Sequence, residues 1–324
     1  MDEPVVEVLT VATPSLVDSV EALVGQVTRT RDVAALSDGR RRALHAAAAS
    51  RRPEAFLAVV ALDRPHGTVI GYAQVDGEGD PSAVSMESVS SGDDAAGRAV
   101  ADQVLDTALA AVAASGGAQV RLWVTTPSDA DDERALRRGF TVERELLQLR
   151  CPLPLAPATV GEVVVTTRPF AVGRDEEAWL ATNNRAFAGH PEQGAWDLST
   201  IRSREAEPWF DPDGFRVLEL DGRLAGSCWT KRHATTPPLG EIYVISVDPD
   251  FHGRGLGRAL TRAGLDWLAA TGLDTGMLYV DGANTPAVTL YRSMGFTEHH
   301  RDRAYTTTVS AAPVLPGVPA PRTD

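Results

Sequence analysis

The chain has 324 residues, about two domains' worth at roughly 150 residues per domain. Hydrophobic residues make up 43% and charged residues 23%, which supports packed cores and excludes a chain disordered throughout. With 31 Lys and Arg against 44 Asp and Glu the net charge is −13. That argues against general binding to nucleic acid or anionic membrane and leaves plain solubility or a cationic substrate.

The start, Met1-Asp2-Glu3-Pro4, has no basic or apolar leader pattern, so no signal peptide is expected. The spacing then predicts strands at 54–62, 67–75 and 84–90, a helix at 97–114, a strand at 119–125, a helix at 130–138 and a strand at 140–149. Cys151 to Pro157 carries three prolines and reads as an extended linker. Beyond it come a strand at Val163–Arg168 and a helix at Glu176–Phe187 with Trp179, Leu180 and Phe187 on one side. Two strands, Phe215–Leu220 and Arg223–Lys231, flank Asp221-Gly222, a residue pair favoured in two-residue hairpin turns. Strand Glu241–Val247, helix Leu256–Ala270, strand Met277–Val280, helix Pro286–Met294 and strand Phe296–Thr307 follow. The tail after 309 holds four prolines and little periodicity, and is expected to be disordered. Hairpins followed by a βαβ crossover make a mixed α/β fold, a largely antiparallel sheet flanked by helices.

The two halves repeat one another. Gly71 and Gly226 sit in matching strands 155 apart, Val124 and Val280 are 156 apart, Gly139-Phe140 and Gly295-Phe296 again 156, and Glu87 and Glu241 154. Four matches in one order at a near-constant offset indicate a duplicated domain. The expected organisation is 1–150, a linker at 151–161, 162–309 and a tail at 310–324. Two cysteines, Cys151 and Cys228, are too few for a disulfide framework, and no run approaches the 18 apolar residues of a membrane span; a cytoplasmic protein is expected.

His252, Gly253, Arg254, Gly255, Leu256 and Gly257 follow an apolar strand and open a helix. Missing Cβ atoms let backbone N–H groups approach phosphate oxygens, and a helix N-terminus adds partial positive charge. Arg254 and Arg258 add more. A P-loop is excluded because its Lys is absent, and a dinucleotide fingerprint because the preceding strands are hairpins. The alternative is an ordinary glycine-rich turn.

This loop, led by Val247-Asp248-Pro249, resembles that of the GNAT acetyltransferase superfamily, Gln/Arg-x-x-Gly-x-Gly/Ala, with His252 in place of Gln or Arg. Asn284 with Tyr291-Arg-Ser-Met-Gly-Phe296 resembles the superfamily's late block. The resemblance implies that acetyl-CoA is the cosubstrate, with its pyrophosphate on 252–258. It also implies contacts from Ile245, Ser246, Val247, Asn284 and Thr289, with no metal. A bulge at Ile245–Val247 would free an amide for the thioester carbonyl. A narrower set, Asn183 to Trp196, Glu207 to Gly214, Trp229-Thr-Lys231, Leu239 to Val244 and Leu278-Tyr-Val280, resembles the mycothiol synthase family. These are tandem GNAT enzymes that acetylate the cysteinyl amine of cysteinyl-glucosaminyl-inositol. That resemblance covers residues 5–309 and implies substrate contacts at Asp38, Glu192, Lys231, Glu241 and Tyr279.

Acetyl transfer to an amine needs a base and an acid for the leaving thiolate. Glu241 is the candidate base, with a merely solvated strand-edge carboxylate as its alternative. Tyr291 is the candidate acid, with a packed core aromatic as its alternative. Asp38 could instead cap a helix, since Ser37-Asp38 precedes a helical run. His190, His233 and the His299-His300 pair lack metal-ligand spacing and read as solvated or packed, and Cys228 as core. At the 156 offset, Gly255, Gly257, His252 and Tyr291 become Ala99, Ala101, Ala96 and Ala135, while Asp93 and Asp94 enter the lead-in. The first copy is therefore expected not to catalyse, and to bind acetyl-CoA weakly or not at all. Rival readings are a tandem GNAT acting on another amine and a non-catalytic CoA-binding module. A monomer is expected, the copies packing as a pseudo-dimer.

Overall fold

In the computed structural model the described residues are 4–31, 33–50, 56–77, 82–158, 160–189, 194–235 and 237–312. In chain order they form β1 (Val5–Leu9), α1 (Pro14–Arg31), α2 (Asp38–Ala49), β2 (Leu57–Leu62), β3 (Val69–Gly77) and β4 (Ala83–Ser90). Then come α3 (Ala95–Ala114), β5 (Gly117–Thr125), α4 (Asp129–Arg137), β6 (Thr141–Pro152), β7 (Arg168–Pro169) and α5 (Glu176–Ala186). The chain continues with α6 (Leu198–Glu205), β8 (Phe215–Leu220), β9 (Arg223–His233), β10 (Leu239–Val247), α7 (Leu256–Ala270), β11 (Thr275–Asp281), α8 (Thr285–Ser293) and β12 (Thr297–Ser310). The mixed α/β class expected from the sequence is what forms.

The chain divides into two compact units, Met1–Glu145 with Arg301–Asp324, and Leu146–His300. These boundaries fall inside β6 and β12, not at the proline-rich stretch after Cys151. The reason is an exchange of terminal strands. Residues 302–310 of β12 pair antiparallel with β5, which belongs to the first copy of the repeat. Residues 146–152 of β6 pair antiparallel with β11, which belongs to the second.

In the first unit the strand order is β1-β2-β3-β4-β5-β12. Leu16, Val20, Leu23, Val24 and Val27 of α1 recur every three or four residues and bury one stripe against one face of the sheet, together with Leu44 of α2. The other face is covered by α3 through Val100, Val104, Leu105 and Ala108. In the second unit the order is β6-β11-β10-β9-β8-β7. One face packs on Leu256, Leu260, Leu265 and Leu268 of α7 and on Tyr291 of α8. The other packs on an aromatic cluster, Trp179, Phe215 and Trp229, with Ile201 of α6. Because helices cover both faces, β9 is buried along nearly its whole length instead of alternating.

Several local expectations hold to the residue. Asp221 and Gly222 take φ of 53° and 73°, the left-handed pair of a two-residue hairpin turn between β8 and β9. Beyond those expectations, Gly71 and Gly226 mark close helix–sheet approach in their two units. A Cβ on Gly71 would come to 2.6 Å from Val100, and one on Gly226 to 2.8 Å from Leu260. The strand expected at Val163–Arg168 shrinks to Arg168–Pro169, the two residues that pair with β8; before it, Glu162 pairs with Arg258 and Arg262 of α7 at 3.5 and 3.4 Å. Helix α6, capped by Asp197 accepting from Thr200 N at 2.8 Å, gave no clear apolar period. No helix among the described residues is long and apolar enough to cross a membrane. The expected disordered tail lies outside the described residues from 313 onward.

Candidate active site

In the second unit β10 and β11 run parallel and are paired only at Gly240↔Gly276, Glu241↔Met277 and Ile242↔Leu278. Beyond that point β10 continues to Val247 on its pairing with β9, and β11 to Asp281 on its pairing with β6. The two strands therefore part, and the edge of β10 from Val244 to Val247 loses its neighbour on the β11 side. The register irregularity expected at Ile245–Val247 lies earlier, between Ile242 and Val244. Ile245, Ser246 and Val247 pair regularly with Cys228, Ser227 and Gly226. Asp248 N donates to Ala225 O, so by alternation the amides of Ile245 and Val247 face the gap; they do so because β11 diverges, not because a bulge turns them. The Ser246 hydroxyl is 3.2 Å from that of Ser227, which accepts from Trp179 Nε1 at 2.9 Å. Ser246 thus turns its backbone to β9 and its side chain into the core, and Ile245 and Val247 on either side of it present the open edge.

The freed edge leads directly into the glycine loop. Pro249–Phe251 make one turn of 3-10 helix, and Asp248 caps it. Gly253 and Gly255 then take φ of 75° and 74°, a conformation an L side chain adopts only at a cost of roughly 1–2 kcal/mol. Gly255 is the N-cap of α7 and supplies no side-chain hydrogen bond. The first N–H groups of α7, at Leu256, Gly257 and Arg258, thus lack a capping side chain, which suits an anion. His252 is 3.1 Å from the Val247 carbonyl through Nε2 and braces the loop. Arg254 lies over the Phe251 ring at 5.0 Å, and Arg258 reaches Ser293 and Glu162. On the late block, the Asn284 side chain accepts from Ala287 N at 3.2 Å and so caps α8, while Thr289 is exposed on that helix.

Glu241, Lys231 and Tyr279 share the sheet face opposite α7. Glu241 stands opposite Lys231 on β9 and beside Met277 on β11, two residues from Tyr279, and the period of two keeps all of these on one side. Glu241 and Lys231 are buried. The Lys231 ammonium lies 5.1 Å from the Trp209 ring and 5.8 Å from that of Tyr243, so aromatic faces hold it. Tyr279 accepts at its hydroxyl from Gln148 Nε2 at 2.7 Å, and Arg150 Nε donates to Gln148 Oε1 at 2.8 Å. His300, whose burial pushes it down to about 4, is a neutral ring 6.3 Å from Tyr279.

Tyr291 comes from α8 on the opposite face, 7% exposed and 5.7 Å from the Phe296 ring. Burial pushes its phenol above the ordinary value of 10, so it keeps its proton throughout the neutral range. Cys228 is fully buried against Gly264 of α7, its thiol pushed up to about 12 by burial, which bears out a packing role. Asp38, in the first unit, is the exposed first residue of α2. The cap there is Ser37, whose Oγ accepts from Arg40 N at 3.2 Å. Glu192 and His190 lie outside the described residues. His233 departs from the solvated or packed expectation: its Nε2 is 2.7 Å from Glu241 Oε2. The signal for it was present, since His233 lies two residues beyond Lys231 on the same strand and hence on the same face.

The first unit offers a counterpart with the same parting strands and a different loop. β4 and β5 are paired only as far as Glu87↔Trp123, and a cavity of about 550 Å³ lies there, floored by Val89, Val104, Leu122 and Ala135. Its helix α3 starts with Asp94 accepting from Gly97 N at 2.8 Å. Asp93 pairs with Arg31 and takes the Arg98 guanidinium on its carbonyl.

Residues 177–296 match the model of the Acetyltransferase (GNAT) family. Among curated proteins, the chain is 52% identical over 203 residues to a mycothiol acetyltransferase of Thermobispora bispora, covering 61% of this chain and 68% of that one. It is 39% identical to those of Streptomyces bingchenggensis, over 93% of this chain and 96% of the other, and Streptomyces coelicolor, over 93% and 95%. Among solved structures, a GCN5-related N-acetyltransferase from Sphaerobacter thermophilus superposes with a TM-score of 0.71 at 18% identity, over 96% of this chain and 98% of that one. A tandem GNAT protein from the clavulanic acid biosynthesis pathway gives 0.66 at 16%, over 95% and 100%. At those identities the structural likeness concerns the fold.

Proposed function

The chain belongs to the mycothiol acetyltransferase family and is an acyltransferase, and from that premise we propose that it acetylates the cysteinyl amine of cysteinyl-glucosaminyl-inositol with acetyl-CoA. The chemistry is carried by the unit Leu146–His300. The observation that carries this reading is the freed edge of β10 running into the uncapped, glycine-opened start of α7.

The α7 N–H groups with Gly253 and Gly255 receive the pyrophosphate, and the backbone of Ile245–Val247 receives the pantetheine arm and polarises the thioester carbonyl. On the other face Lys231, Glu241 and Tyr279 hold the amine and the sugar hydroxyls, and Glu192 is a further proposed contact. At neutral pH an aliphatic amine is mostly ammonium, so Glu241 accepts its proton, directly or through a water. The free amine attacks the thioester carbon. The C–N bond forms, the C–S bond breaks, and the Tyr291 hydroxyl gives its proton to the departing sulfur. The second proton, shed by the nitrogen as it becomes an amide, restores the phenol through solvent, and the proton on Glu241 is released to water. No acetyl-enzyme is needed, and neither cysteine is suited to form one: burial pushes both thiols to about 12.

The test is to incubate the protein with acetyl-CoA and cysteinyl-glucosaminyl-inositol and to follow the product by mass spectrometry. One acetyl group on nitrogen is the expected result. No product there, with turnover on a different amine, would overturn the substrate and keep the acetyltransferase.

A further inference from the structure

We propose that His233 is a positioning residue for acetyl transfer, fixing the Glu241 carboxylate so that one defined oxygen faces the amine. The inference rests on the reading of Glu241 as the base and adds to it a residue outside that reading.

The pairing of β9 with β10 sets His233 opposite Leu239 and Lys231 opposite Glu241, so His233 and Glu241 are diagonal neighbours on one face. Their side chains are 19% and 10% exposed, with Nε2 to Oε2 at 2.7 Å. An ionised carboxylate only accepts hydrogen bonds, so Nε2 carries the hydrogen and donates it. That bond occupies Oε2, and Oε1 makes no hydrogen bond among the described residues. A carboxylate on a strand side chain otherwise rotates about its last torsion, which is broad. Held at Oε2, it presents the lone pairs of Oε1 in a fixed direction. The proton from the amine goes to Oε1, and the imidazole keeps its own. Lys231, held over the Trp209 and Tyr243 rings, flanks the same carboxylate along the strand. The imidazole therefore contributes geometry where Lys231 contributes charge.

His233→Ala removes the donor, and His233→Gln returns an N–H at about the Nε2 position. Steady-state kinetics should show kcat for the Ala variant lower by about 10- to 100-fold, a share of the whole general-base effect. Affinity for acetyl-CoA, measured by calorimetry, should stay within about twofold of the parent, since its proposed site lies at the other end of β10. His233→Gln should recover at least about fivefold of the lost kcat. The double variant with Glu241→Gln should turn over no more slowly than Glu241→Gln alone, because His233 acts only through that carboxylate. Undiminished kcat in His233→Ala, a Gln variant no better than Ala, or parallel loss of acetyl-CoA affinity would each overturn the proposal. Failure of the underlying reading looks different: Glu241→Gln itself would then keep its turnover.

Discussion

Residues 95–99 and 251–255 hold the same place in the repeat and have opposite conformations. In the second unit 251–255 are a turn and a loop with two left-handed glycines, and α7 starts only at Leu256. In the first, α3 starts at Ala95, five residues earlier at the 156 offset. The helices are otherwise in register, since Val104 lies against Gly71 as Leu260 lies against Gly226. Ala96, Ala99 and Ala101 replace His252, Gly255 and Gly257, and each glycine-to-alanine change in a helix is worth up to about 1 kcal/mol. The loop has wound into helix. That shifts the positive end of the helix by roughly 7 Å, at 1.5 Å per residue, and sets the Asp94 carboxylate on it. The difference between the copies therefore lies in the backbone that would cradle phosphate, as well as in the side chains.

The two matching glutamates differ in the same way. Both Glu87 oxygens are taken, Oε2 by Ser37 N at 2.8 Å and Oε1 by Ser37 Oγ at 2.6 Å, with Arg40 Nε at 3.4 Å. Glu241 is held at one oxygen. Glu241→Gln should therefore lower kcat by about 10²- to 10⁴-fold, whereas Glu87→Gln should leave kcat within about twofold and lower the unfolding midpoint. Equal losses of turnover would break the comparison. At the loops, Gly255→Val should raise the acetyl-CoA KM about 10-fold, the left-handed φ costing roughly 1–2 kcal/mol. Calorimetry of the parent protein should resolve one tight acetyl-CoA site; two equal ones would erase the distinction drawn between α3 and α7.

A smaller test concerns Asp302, which pairs with Thr125 where the second unit pairs Leu146 with Asp281. Burial first, and then Glu87, push this carboxyl up to about 7. The folded protein thus holds a proton that the unfolded chain releases between about pH 4 and 7. Wild-type stability should fall as pH rises through that window. Asp302→Asn should gain on the order of 2 kcal/mol over wild type at pH 8 and nothing at pH 4, read from urea melts at both. A constant difference across pH would show that the acid does not titrate there.

The sequence made the repeat legible because glycines at close helix–sheet contacts and at left-handed turns leave marks independent of context. Gly222 holds the left-handed turn position that its pairing with Asp221 suggested, while the close helix contacts of Gly71 and Gly226 and the left-handed φ of Gly255 came from the structure. Strand ownership was not legible. The periods of β6 and β12 say that each is a strand with a buried side and cannot say which neighbour it pairs with, since that choice rests on contacts distant in the chain. In the site, Lys231 was legible only through the family resemblance, since β9 is buried along nearly its whole length and does not alternate, and Glu241 through its place at the start of the strand before the glycine loop. The period of two puts His233 on the face of Lys231, but its contact with Glu241 follows only from the register of β9 with β10, which the sequence does not carry. The Arg150-Gln148-Tyr279 relay was hidden for the same reason: it joins β6 to β11 across the exchange.

That exchange has a consequence for how the protein is made. The first unit cannot close its sheet until residues 302–310 leave the ribosome, by which time the whole second copy has been synthesised. The second unit, for its part, borrows residues 146–152 from the chain of the first copy. Expressing 162–309 alone would bare the β11 edge, an open template for aggregation. The copy without the glycine loop is thus tied into the assembly of the copy that has it, and a gene encoding only the second copy would lack a strand of its own sheet.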